Sequence, residues 1–167
     1  MKSFVIGLSL AAIASSTFAS DERTAANVGK KYSEAVACQI TEVQYQKNQY
    51  KTVRVFQGDK DLGGLDDVFV VFWEGDTGCA GGNGTVSPNF TVAEQRGFMS
   101  ATPVVVTDFK FPELEMVRLT SFSGKNGQLL ISGVSYGPKD DQGVPNKKVS
   151  YTLKLDQANR AFVLLNR

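Results

Sequence analysis

Histidine is absent from the sequence. Its absence excludes the Ser/His/Asp and Cys/His nucleophile systems and removes the commonest general base and metal ligand. Tryptophan occurs once, at Trp73, so a sugar cleft lined by several indoles is excluded as well. Charge of one sign is missing too: 18 Lys and Arg face 17 Asp and Glu. Nucleic-acid binders normally show a basic excess clustered on one face. Here the basic residues occur no denser than pairs such as Lys30-Lys31 and Lys147-Lys148. Beyond the first twenty residues no apolar run approaches the ~20 residues of a spanning helix, so neither nucleic acid nor a membrane anchor is expected.

What the N-terminus does contain is "MKSFVIGLSLAAIASSTFAS". Lys2 supplies the positive start, Phe4 to Ile13 the short apolar stretch, and Thr17-Phe18-Ala19 the small residues before a cut. The segment reads as a cleaved bacterial signal peptide over residues 1–19, followed by a single β-rich domain over 20–167. Lys2 is the leader's one charge, so the remainder carries 17 charges of each sign. A periplasmic or secreted protein is expected. In that compartment an even pair of cysteines reads as a disulfide, here Cys38–Cys79. Closing that loop would stabilise the fold by roughly 3–4 kcal/mol. Two cysteines without histidine make a poor zinc site.

Residues 21–40 carry helical spacing, with Ala25, Val28, Tyr32, Val36 and Ile40 as the apolar stripe and Thr24 as a candidate cap. Strand patterns follow. "YKTVRVFQG" alternates, and "DDVFVVFWEG" is a continuous apolar run of the kind buried on both faces. "TVSPNFTVAEQ" and "TPVVVTDFKF" are further candidates. Lys125-Asn126-Gly127 marks a tight hairpin. Asp156-Gln157-Ala158-Asn159 marks a second one. The expected class is α+β: an N-terminal helix, then about seven mainly antiparallel strands forming a sheet, a sandwich or a partly open barrel.

"WEGDTGCAGGNGT", Trp73 to Thr85, holds five glycines. A phosphate loop would need Lys-Ser/Thr and a following helix, and neither is there. Asp76-Thr77-Gly78 resembles the aspartic-protease motif over three residues. No second copy exists, however, and Glu74 and Gly75 stand where that motif needs an apolar strand. The stretch reads instead as a turn pinned by the disulfide. Gly75, Asp76, Thr77, Gly78, Gly81, Gly82, Asn83 and Gly84 form a candidate binding loop whose sparse side chains leave backbone groups accessible. The polar loop Gly137–Lys148 is a second candidate.

"GDKDLGGLDDVFVVF", Gly58 to Phe72, places Asp59, Asp61, Gly64 and Asp67 at positions 1, 3, 6 and 9 of a D-x-D-x-x-G-x-x-D spacing. Alternating carboxylates with a glycine turn supply the oxygens that calcium needs. The stretch resembles the calcium loop of FG-GAP and VCBS repeats, as found in small exported bacterial proteins. It departs at position 5, where Gly63 replaces the usual Asp or Asn. The resemblance implies a weak calcium site at Asp59, Asp61 and Asp67. The plain alternative is a polar turn whose aspartates are solvated or cap N–H groups. No other cofactor is expected.

Paired carboxylates remain as a route to catalysis: Glu74 with Asp76, or Glu113 with Glu115. Two sequons, at Asn83 and Asn89, would matter only in a eukaryotic secretory route. The leading expectation is a non-enzymatic exported module that binds another protein or envelope component, as inhibitors, immunity factors and assembly helpers do. A calcium-stabilised domain and a carboxylate-dependent hydrolase are the alternatives.

Overall fold

The computed structural model describes residues 21–41, 48–81, 85–97, 102–141 and 143–166. The expected leader, residues 1–19, lies outside them, as do Gly82, Asn83 and Gly84. The described chain runs α1 (Glu22–Val36), β1 (Gln39–Ile40), β2 (Thr52–Phe56), β3 (Val68–Asp76), β4 (Ser87–Glu94), β5 (Val104–Val106), β6 (Arg118–Lys125), β7 (Gln128–Ser135), β8 (Lys147–Asp156) and β9 (Ala161–Asn166). Every strand pairing is antiparallel. β1 and β2 both pair with one edge of β3, and β4 and β5 extend the other side; β6 to β9 form a second, four-stranded meander. This corrects the α+β expectation of about seven strands. The fold is mostly β, with one helix and nine strands among the described residues. The strand that sequence pattern missed is β1, two residues long, which exists only because β3 runs on far enough for Gln39 and Ile40 to pair with Asp76 and Gly75.

β3 is the centre of the molecule. All nine of its residues are buried. Val68, Val70 and Phe72 face the second sheet, in a core with Leu119, Phe122, Leu129, Ile131, Tyr151 and Leu153. Phe69 points the other way and packs with Ala25 of α1 and Ala93 of β4. A strand covered by a helix on one face and a sheet on the other has no polar face to alternate, which is why it reads as a continuous apolar run. Trp73 is buried with its polar handle satisfied: Nε1 donates to Thr91 Oγ1 at 2.8 Å.

The helix does not use the stripe read from its sequence. Its buried positions are Ala25, Gly29 and Ser33, while Val28 and Tyr32 are half-buried and Val36 is exposed. Three small residues four apart let the helix lie close on β3. Asp21, not Thr24, is the cap; its Oδ1 accepts from Thr24 N at 2.7 Å and from the Thr24 hydroxyl at 2.8 Å. The helix stops at Ala37, whose backbone is extended, so Ile40 belongs to β1 rather than to the stripe.

The β6–β7 turn is Asn126-Gly127, with φ of 53° and 75°. Positive φ at both central residues is the type I′ geometry that Asn-Gly favours. The same turn joins the sheets, because Gly127 N donates to Val55 O at 2.8 Å. At the other edge Lys110 bridges to Ala161, and Arg160 binds Glu94 of β4 and Asp108 while its guanidinium lies 4.5 Å over the Phe109 ring. Connectivity then sets the poles. β2 ends beside the β6–β7 turn. β3 runs antiparallel to β2, and β7 runs away from that turn. The loop after β3 and the loop after β7 therefore leave from the same end of the sandwich.

Candidate functional site

The two candidate loops at that end are each built around one carboxylate. Asp76, the last residue of β3, is 2% exposed. Its Oδ1 accepts from Gly78 N at 2.9 Å and its Oδ2 from Gly81 N at 3.2 Å. Burial pushes this carboxyl up. The Thr85 hydroxyl and the N–H groups of Gly81, Gly78 and Cys79 outweigh that, and the net pKa is below the ordinary value. Cys79, at φ 53°, is disulfide-bonded to Cys38, with Cα atoms 5.3 Å apart. The glycine-rich stretch is thus fastened at its start to the segment that follows α1. Of the expected binding loop, Gly75, Asp76, Thr77, Gly78 and Gly81 are described; Gly82, Asn83 and Gly84 lie outside the described residues.

The Gly137–Lys148 loop repeats the device without a disulfide. Asp140 Oδ2 accepts from Gly137 N at 2.7 Å and Asn146 N at 2.8 Å. Those two N–H groups hold its carboxyl below the ordinary value. Gly143 N donates to the Tyr136 hydroxyl at 3.2 Å. Around this frame Tyr136 and Val144 stand 46% and 55% exposed, the latter the most exposed large apolar side chain among the described residues. Sequence reading singled out the loop but not Asp140, Tyr136 or Val144. "KDD" between Gly137 and Gly143 is the only trace of the hub, and nothing local says which aspartate turns inward.

The acidic loop is organised by backbone N–H groups and one arginine. Asp59 Oδ1 accepts from Asp61 N at 2.9 Å and weakly from Leu62 N at 3.4 Å, an Asx turn. Asp67 is 1% exposed and turned inward. Its Oδ1 accepts from Gly58 N at 2.8 Å, and Oδ2 lies 3.4 Å from Arg54 Nε. Burial raises the Asp67 carboxyl; Gly58 N–H and Arg54 offset this only in part. Among the described residues no group of three or more acidic or cysteine side chains lies close enough to hold a metal ion. Asp59, Asp61 and Asp67 are therefore not gathered.

Glu74 and Asp76 share one face of β3, two residues apart, but Asp76 is engaged by the loop N–H groups rather than by its neighbour. Glu113 and Glu115 lie exposed on the segment that crosses between the sheets. A cleft of about 550 Å³ at the opposite pole is lined by Arg54, Lys125 and Lys154 among others. Among the described residues no helix is long and apolar enough to cross a membrane, which together with the disulfide is compatible with an exported protein. No protein-family model matches the chain, and neither a curated protein nor a solved structure matches it.

Proposed function

We propose that this is a small exported module, periplasmic or secreted, that works by binding another protein through the pole carrying the Gly75–Gly84 and Gly137–Lys148 loops. The observation that carries the reading is the pair of carboxylate hubs. Asp76 accepts from the N–H groups of Gly78 and Gly81, and Asp140 from those of Gly137 and Asn146, so each ties down the described part of its loop. A loop ordered before binding loses less entropy on binding, which is how rigid β scaffolds present contact groups. The leader-like N-terminus and the disulfide support the compartment.

The test is capture of the partner by the mature domain, followed by affinity measurement on loop variants. Asp140→Ala, Tyr136→Ser and Asp76→Asn should each weaken binding about tenfold or more if they disturb an anchor. Unchanged affinity in all three would remove the loops from the binding surface.

A further inference from the structure

The two sheets differ in charge, although the mature chain is neutral. β1 to β5 carry one cation, Arg54, and three carboxylates, Glu74, Asp76 and Glu94. β6 to β9 carry five cations, Arg118, Lys125, Lys147, Lys148 and Lys154, and one carboxylate, Asp156. Asp156 sits at the last position of β8 and caps the turn by accepting from Asn159 N and Nδ2.

Register places four of these cations at the corners of the β6–β8 part of the second sheet's outer face. Arg118, Val134 and Lys148 stand in one cross-strand row; Lys125, Gln128 and Lys154 stand in another. The rows are six residues apart along β8, about 20 Å, and β6 and β8 are two strand spacings apart, about 10 Å. Between them lie uncharged residues: Ser121, Ser132, Ser150, Ser123, Leu130 and Thr152, with Ser132 and Ser150 hydroxyls 3.2 Å apart. Leu130 is 46% exposed. Among the described residues none of the four corner cations is in an ion pair.

We propose that this face, continued by Tyr136 and Val144, docks onto an acidic surface of a folded partner protein. An uncharged centre with a charged rim is the anatomy of a protein–protein interface. Rim cations without intervening carboxylates select a partner of opposite sign and steer its approach. A linear polyanion would instead need cations along the track, where this face has hydroxyls. A second copy of the same face is repelled by it. The four strands supply roughly 400 Å², about half of what each partner contributes to a standard interface, so the adjoining loop must supply the rest. The inference rests on the protein-binding reading and adds the sheet face and the partner's charge to it.

Lysine footprinting tests it. The full mature protein is acetylated under limiting reagent with and without an envelope extract of the source cells, and each lysine is read by mass spectrometry. Lys125, Lys148 and Lys154 should react about fivefold more slowly with extract present, because a rim amine facing a carboxylate is both covered and held protonated. Lys31 and Lys51 serve as references. The protection should vanish when the extract is first digested with protease. It should also vanish near 0.5 M NaCl, where screening acts within about 4 Å, and at Lys125 and Lys148 in Arg118→Glu/Lys154→Glu, whose exposed positions leave folding intact by thermal melt. Protection confined to Lys139 and the loops would keep the binding reading and overturn the sheet face. Protection that survives protease, or that is reproduced by phosphatidylglycerol vesicles or polygalacturonate alone, would overturn the protein partner. Full reactivity at all three lysines overturns the inference outright.

Discussion

Gly29 of the helix rests against Val71 of the central strand so closely that a β-carbon on it would stand 2.7 Å from Val71 Cγ1. Real Cβ contacts are longer, so any side chain at Gly29 forces the helix off the sheet or Val71 out of its rotamer. Gly29→Ala should therefore destabilise by about 1–3 kcal/mol, against the ~1 kcal/mol that helix propensity would gain. Val71→Ala in the same chain should recover part of the loss. Chemical denaturation of the two single variants and the double variant measures this, and a stabilised Gly29→Ala would contradict the packing.

The Cys38–Cys79 bond closes a separation of 41 residues. Unreduced protein in denaturant should show no free thiol by titration. Cys38→Ala/Cys79→Ala should lose about 4 kcal/mol by loop-closure entropy. Faster hydrogen exchange should concentrate at Gly78 and Gly81, whose N–H groups depend on Asp76 staying in place.

The carboxylate hubs set a pH dependence. Asp76 and Asp140 both have folded pKa values below the ordinary 3.8. A depressed folded pKa contributes stability that is present above the unfolded value and is lost as pH falls through the folded value. Asp67, raised by burial, has the opposite sign: its ionisation opposes folding, and protonation relieves that. With no histidine, stability should be nearly flat between about pH 5 and 8 and fall below about pH 4. Urea midpoints across this range test it, and Asp140→Ala should flatten the acid limb. A midpoint that climbs as pH falls from about 6 to 4, the window above the ordinary carboxylate value in which a raised group acts, would show Asp67 outweighing the hubs.

Calcium should have no effect on the melt. Asp67 is turned to Gly58 N and Arg54, and Asp59 closes its own turn. A millimolar site filled at ten times its dissociation constant would raise Tm by about 3 °C or more in a domain of this size. The expectation is no shift between about 10 mM calcium and chelator. A shift that Asp59→Asn removes would show that calcium binds at this loop.

Several features were legible in the sequence because their causes are local. Asn126-Gly127 needs only the backbone freedom of two residues to announce a type I′ turn. The apolar run from Val68 to Trp73 says that both of its faces are covered, since no polar face is kept for water. A chain with only two cysteines offers each no partner but the other. The rest depended on which segments meet in space. Val28, Tyr32 and Val36 satisfied the helical period, yet the buried face is Ala25-Gly29-Ser33, because close approach to Val71 and Phe69 favours small side chains over large ones. Asp59, Asp61 and Asp67 satisfied a ligand spacing, yet Asp67 turned inward once β2 brought Arg54 beside it. Neutral overall composition likewise concealed two sheets of opposite charge. Strand register alone gathers Arg118, Lys125, Lys148 and Lys154 on one face, and register is a long-range property that no short window of sequence contains.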